Sequence, residues 1–389
     1  MAPFGPACRR SPRVLSTGNS DGVPLCVPRQ MGEIAEDRVP PTPVTLLRHP
    51  IPGNLPYGSF AFVMATGIVS IATRLNGLAW LSGALFALNL SAFALLWLLL
   101  INRVGRRPAA VLDDLAEDRE APAILTVVAG TCVIASEIAL TGAFPVLVAA
   151  LWMLAAALWL GFVYGIAVGM TIRPAKAPIV QQIDGSWLLA VVATQALAIL
   201  TTHLAGTMLP REPALFVSLC LFLLGGVLYI VLIVLIVQRW LSLPMRPEDL
   251  TPPYWINMGA AAITTLTGAL LVEALGPDAV RASVRDFVAG ATILSWSVAS
   301  GWIPLLTDLT VWRHRRGVPV RYRLDNWAMV FPLGMYTTAT WRFAHGLGFR
   351  FLDIVPNLFV WIALAAWCLN FIGLLHALAR SPSKSPARD

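Results

Sequence analysis

From residue 56 almost to the C-terminus the chain is a succession of apolar runs separated by short polar or basic connections. Many reach the roughly 20 residues that a helix needs to cross a bilayer. Ten helical segments can be drawn. The odd-numbered ones cover about 56–74, 122–140, 185–205, 253–273 and 326–346. The even-numbered ones cover about 79–101, 144–170, 214–238, 287–310 and 354–378. Transmembrane strands would alternate apolar and polar residues in units of about ten, and these runs do not. The pattern predicts an all-α membrane protein.

The two sets of segments differ in chemistry. Odd segments are rich in small and hydroxyl residues, as in VMATGIVSIAT, VVAGTCVIAS and GAAAITTLTG, whereas even segments hold the bulk, as in FALLWLLL and LYIVLIVLIV. The odd segments also begin alike, with Pro56-Tyr57, Pro122, Asp184-Gly-Ser-Trp187, Pro252-Pro253-Tyr254-Trp255 and Asp325-Asn326-Trp327. Proline in the first turn and Asp or Ser before it are ordinary helix-start signals. Their recurrence at 56, 122, 184, 252 and 325, spaced by 66, 62, 68 and 73 residues, marks an internal repeat. Each unit reads as a helical hairpin, and five copies place an outer ring of even helices around an inner ring of odd ones. Small residues permit close helix packing, and Gly161, Gly165 and Gly169 are expected to form one such ridge. Hydroxyls on five inner helices also suit a narrow polar axis, so a central pore is expected.

Composition and charge sharpen this picture. The chain is 57% hydrophobic and 13% charged, with mean hydropathy +0.71; a soluble protein has about 25% charged residues. Of the 28 Lys and Arg, twenty-two fall in the two tails and the even-to-odd connections, and six on the opposite side. The positive-inside bias then puts both termini in the cytoplasm, with the plasma membrane as the expected location. It accounts for the net charge of +7 without a nucleic-acid partner. Residues 1–50, with eight prolines scattered through the first 45, read as a disordered basic tail. They lack the h-region of a signal peptide, and Met31 is an alternative start. Residues 51–380 form the membrane domain, and 381–389 a short basic tail.

The five cysteines (Cys8, Cys26, Cys132, Cys220, Cys368) offer no disulfide framework and no metal-ligand spacing. No metal or cofactor is expected. There is no Walker motif, no Ser/His/Asp arrangement and no H-E-x-x-H, so the sequence gives no support to an enzyme. His203, His345 and His376 fall at helix ends.

The stretch WAMVFPLGMYTTAT, residues 327–340, carries the most specific signal. Helical neighbours lie three or four residues apart, so Phe331, Gly334, Thr338, Arg342 and His345 share a face. Pro332 removes a backbone donor and is expected to bend the helix, throwing Phe331 toward the axis. There it either plugs a channel as a hydrophobic constriction or packs between helices. The first segment offers a similar stripe of Phe60, Met64, Gly67, Ile71 and Arg74, with Ser70 beside it. Candidate lining residues are Gly67, Ser70, Gly130, Thr131, Thr194, Thr264, Gly334 and Thr338; the charged candidates at the mouth are Arg74, Arg342 and Glu137.

The segments PYGSFAFVMATGIVSIA and DNWAMVFPLGMYTTAT resemble the tellurite-resistance/C4-dicarboxylate transporter family. That family belongs to the voltage-dependent anion channel superfamily, with plant slow-type anion channels and yeast malate and sulfite transporters. The resemblance covers residues 50–380, and its most specific piece is the Trp-x-x-x-Phe-Pro run. It implies ten helices in five hairpins about a central pore, commonly a homotrimer, and a gating phenylalanine that matches Phe331.

Charge placement points to an anion independently. No Lys or Arg lies in the central part of any odd segment, while the connections are basic. Basic mouths concentrate anions, and an uncharged path keeps binding weak enough for conduction. Glu137 either pairs with Arg74 or Arg342 or relays a proton. Three readings follow: a Phe331-gated channel for a small anion such as chloride, nitrate or sulfite; a proton-coupled C4-dicarboxylate carrier or tellurite/sulfite exporter; and a non-conducting receptor.

Overall fold

The computed structural model describes residues 56–106, 121–172, 178–277 and 281–380. The tails, including the expected disorder of 1–50 and the alternative start at Met31, lie outside the described residues. The described chain is helical, with one isolated β-bridge between Ala205 and Leu209. Among the described residues there are ten long helices: α1 (Phe60–Leu75), α2 (Ala79–Arg106), α3 (Ala121–Thr141), α4 (Pro145–Ile172), α5 (Leu189–Leu204), α6 (Arg211–Ser242), α7 (Ile256–Leu275), α8 (Ala282–Arg315), α9 (Trp327–Gly346) and α10 (Ile354–Ala379). Nine helices among the described residues are long and apolar enough to cross a membrane. The other long helix, α9, is 20 residues long but diluted by Pro332, Gly334, threonines, Arg342 and His345.

Local chemistry sets the ends. Four odd helices are entered through a 3-10 turn: Tyr57–Ser59, Gly185–Leu188, Pro252–Trp255 and Leu324–Asn326. Proline at positions 56, 252 and 253 fixes φ for such entries. At the third unit the Asp184 carboxylate instead accepts from the Ser186 amide at 2.8 Å. The turn between the two helices of every unit holds a glycine with positive φ: Gly77, Gly142, Gly206, Gly276 and Gly348. Only glycine enters that region without a Cβ penalty, which makes it the usual helix stop. A second repeat signal thus lies 20 to 24 residues after the first, about a third of a unit.

The packing separates the two sets of helices. In the spans containing α1, α3, α5 and α7, 67–89% of the core window is buried, against 17–28% for α2, α4, α6, α8 and α10. Each odd helix packs on the next odd helix, and α9 closes back onto α1. Each even helix packs on the odd helix that precedes it in the chain. The inner ring buries Phe60, Met64, Ile124, Ile134, Leu200, Met258 and Trp327 almost completely, while α2, α4, α6, α8 and α10 expose rows of Leu, Ile, Val and Phe. Exposed apolar faces of this extent are what hydrocarbon would cover. The outer helices run 26–34 residues and α1 and α5 only 16; at about 1.5 Å per residue, 34 residues reach about 51 Å, well past the apolar slab. The expected glycine ridge on α4 is corrected: a Cβ built on Gly161, Gly165 or Gly169 meets nothing within 4 Å, so these glycines face away from the chain's own helices.

Candidate transport pathway

Helix α9 is held on three sides. Trp327, fully buried, sets its start: the indole donates to the Tyr322 hydroxyl at 3.1 Å and meets the Phe62 ring edge-on at 4.8 Å. Burial raises the Tyr322 phenol above its ordinary pKa, which keeps that hydroxyl protonated. Toward α7, Pro332 fills the place of a missing side chain; a Cβ on Gly259 would lie 2.8 Å from its Cγ. The helix continues through Pro332. Toward α1, a Cβ on Gly334 would lie 2.9 Å from Ile68 and 3.0 Å from Val69. Outward, Tyr336 shares a 2.8 Å hydrogen bond with Ser300 on α8, and Thr340 accepts from the Trp296 indole at 3.1 Å.

These contacts fix how α9 is rotated. At about 100° per residue, Tyr336 and Thr340 lie about 140° and 180° around the helix from Phe331. Thr338 and Arg342 lie within about 20° of it. Phe331 therefore projects from the side opposite α8. It is 2% exposed. The Thr338 hydroxyl on the same side is buried and, among the described residues, has no hydrogen-bond partner. At the C-terminal end, Arg342 sits 3.6 Å from Glu273 and over the Trp341 ring at 5.5 Å. It opens, with Arg285 and His345, onto a cavity of about 440 Å³ between the ends of α7, α8 and α9.

The other candidates go mostly to helix interfaces. Gly67 packs against Val133, Asn89 and Glu137, and Gly130 against Phe60 and Val63. The Ser70 hydroxyl donates to the Ser82 carbonyl on α2 at 3.1 Å. Thr131 and Thr264 return their hydroxyls to Val127 and Ala260 of their own helices. Thr194 does the same toward Ala190 while accepting from the Trp159 indole of α4 at 2.8 Å. Glu137 pairs with neither arginine; its carboxylate accepts from Asn89 at 2.7 Å. Arg74 is exposed and donates to the Leu140 carbonyl at 3.2 Å.

A set of contacts that segment-by-segment reading missed ties the rings together. The outer helix of each unit donates a side-chain hydrogen bond to the inner helix of the next unit. Asn89 of α2 reaches Glu137 of α3 at 2.7 Å, and Trp159 and Trp152 of α4 reach Thr194 and Thr201 of α5, both at 2.8 Å. Tyr229 of α6 reaches the Asn257 carbonyl of α7 at 3.1 Å, and Trp296 of α8 reaches Thr340 of α9. Trp367 of α10 closes the circle on Thr66 of α1 at 3.0 Å. Bonds of this kind contribute about 0.6 and at most about 1.7 kcal/mol each in a membrane, but they fix the rotation of all five inner helices. The available signal was the placement of Trp on even helices and Thr on odd ones.

The family model described as voltage-dependent anion channel matches residues 54–375. An uncharacterised membrane protein of Mycobacterium tuberculosis (strain H37Rv) is 41% identical over 160 residues, covering 41% of this chain and 80% of the relative. An uncharacterised transporter of Methanocaldococcus jannaschii is 20% identical over 327 residues, 82% of this chain and 93% of the relative. A second uncharacterised transporter of that organism is 19% identical over 148 residues, covering 38% and 41%. With its long apolar helices and a family match over most of its length, the chain belongs to the voltage-dependent anion channel family, whose members move anions across membranes.

Proposed function

We propose that this protein conducts a small anion along the axis of the ring α1–α3–α5–α7–α9, and that Phe331 is the stopper of that path. All ten helices span the membrane in this reading, with both termini in the cytoplasm of a plasma-membrane protein, and three copies assemble. The observation that carries it is the rotation of α9. Its contacts with α8 leave Phe331 and Thr338, whose hydroxyl has no hydrogen-bond partner among the described residues, on the opposite side of the helix, the side this reading turns toward the ring's centre. An unpaired buried hydroxyl costs about 1–3 kcal/mol, and a lumen holding water or an ion would remove that cost. The centre of each inner helix lacks Lys and Arg, so no fixed cation would trap the permeant. Arg342, Arg285 and His345 at the mouth raise local anion concentration. The lining set contracts to Phe331, Pro332 at its side and Thr338; Gly67, Ser70, Gly130, Thr194 and Gly334 act as spacers and ties.

The test is anion current from purified protein in planar bilayers, wild type beside Phe331→Ala. Voltage-driven current that rises in the variant supports the gate. Current insensitive to that substitution removes it, and saturable uptake driven by a pH gradient would favour the carrier instead.

A further inference from the structure

A second cleft lies at the same end of the ring as Arg342, off the proposed path. It occupies about 280 Å³ where the C-terminal ends of α1 and α3 meet the start of α2, lined by Ser70, Arg74, Ser82, Phe86, Glu137 and Thr141. Glu137 is its floor, 4% exposed. One carboxylate oxygen, Oε2, accepts from Asn89 Nδ2 at 2.7 Å; the other, Oε1, has no hydrogen-bond partner among the described residues.

The seat is shaped for this group. A Cβ on Gly67 would stand 2.9 Å from Oε2 and 2.7 Å from Asn89 Nδ2, so a glycine on α1 gives the carboxyl the room it occupies. The charges around it are few. α2 presents the neutral Ser82 and Asn89, α3 presents Thr141, and α1 presents the neutral Ser70 and the charged Arg74. Arg74 turns its guanidinium to the Leu140 carbonyl. The carboxylate therefore sits in an apolar slab with no ion-pair partner among the described residues, a state that costs several kcal/mol unless a cation joins it. Of the cations in solution, the proton fits. Beside Oε1 the cleft offers only the hydroxyl oxygens of Ser70, Ser82 and Thr141, fewer than the six or more ligands that a metal ion of the hard, oxygen-binding kind takes.

We propose that Glu137 is a proton-binding site of this protein, filled from solution through the cleft between α1, α2 and α3. A hydronium at the cleft gives its proton to Oε1 and leaves as water, and release reverses the step. Protonation turns the charge-assisted Asn89 bond into a weaker neutral one. That bond ties α2 to α3 beside Gly67, and the next two residues of α1, Ile68 and Val69, form the seat of Gly334 on α9. The site rests on the anion-transport reading only for this consequence.

The experiment is infrared difference spectroscopy on the full chain in lipid vesicles, stepping the solution from alkaline to acid. A protonated-carboxyl band should appear in the wild type, vanish in Glu137→Gln and reappear at a shifted position in Glu137→Asp. Replacing Na⁺ by K⁺ or choline should leave it unchanged. The same bands in wild type and Glu137→Gln, or a band that follows Na⁺ and not pH, would overturn the assignment. Glu137→Asp keeps the test decisive if the Gln variant does not fold: a band at the wild-type position in Asp would place the signal on another residue. Because the readout is spectroscopic, it succeeds or fails whether or not the protein conducts.

Discussion

Gly259→Ala is the smallest change that reaches the proposed gate without touching it. The added Cβ would stand 2.8 Å from Pro332 Cγ, 3.0 Å from its Cβ and 3.3 Å from its Cα. Non-bonded carbons prefer about 3.5–4.0 Å, so two of these contacts are short by about half an ångström or more. The neighbour is a ring fused to its own backbone and cannot rotate away. Helix α9 must move off α7, carrying Phe331 with it. Overpacking of this kind costs about 1–3 kcal/mol. Gly165→Ala is the matched control, because its Cβ meets nothing; there the same methyl should stabilise the helix by roughly 0.5–1 kcal/mol. The assay is thermal unfolding in detergent, followed by Trp fluorescence, beside anion current in bilayers. A lower melting temperature and altered current for Gly259→Ala, with neither in Gly165→Ala, is expected. If Gly259→Ala melts and conducts like the wild type, the tight α7–α9 contact is not what positions Phe331.

Three further outcomes follow from the same packing. Trp159→Phe and Thr194→Val should each lower thermal stability, and a double-mutant cycle should return a coupling of about 0.6–1.7 kcal/mol; a coupling near zero would mean that the indole does not hold α5. Gly67→Ala should destabilise by roughly 1–3 kcal/mol, because its Cβ meets Val133 Cγ1 as well as Glu137, and Val133→Ala should restore part of the loss in the unfolding assay. Arg342→Gln should reduce anion current at low salt, with the deficit fading as ionic strength rises; a deficit independent of salt would assign the residue a structural role through Glu273 and Trp341.

The ring and its two populations of helix were legible because lipid-facing and buried positions differ in bulk over whole segments, and because Pro56, Asp184 and Pro252 recur at one period. The glycines at 77, 142, 206, 276 and 348 carried the same period, and positive φ identifies them as hairpin stops. Phe331 stands out in the sequence because it precedes Pro332 in the Trp-x-x-x-Phe-Pro run, and its role as a stopper is a proposal. The hydroxyls were harder. A threonine on a small-residue helix reads alike whether it faces the axis or an outer indole. Thr194 turned out to meet Trp159 across 35 residues of sequence, and no spacing rule within one helix reports such a partner. Glu137 was expected either to pair with Arg74 or Arg342 or to relay a proton. The three helices instead supplied Asn89 and a glycine-lined seat, leaving Arg74 to a carbonyl.

The central claim is that the inner ring encloses an anion path closed by one benzyl group. Single-protein current in planar bilayers, recorded for wild type and Phe331→Ala with chloride, nitrate and sulfite in turn, tests it most directly. Small or absent wild-type current that rises severalfold in the variant, without loss of preference for anions over cations, is predicted. Equal currents in both, or a Phe331→Ala path that passes cations as readily as anions, would contradict it.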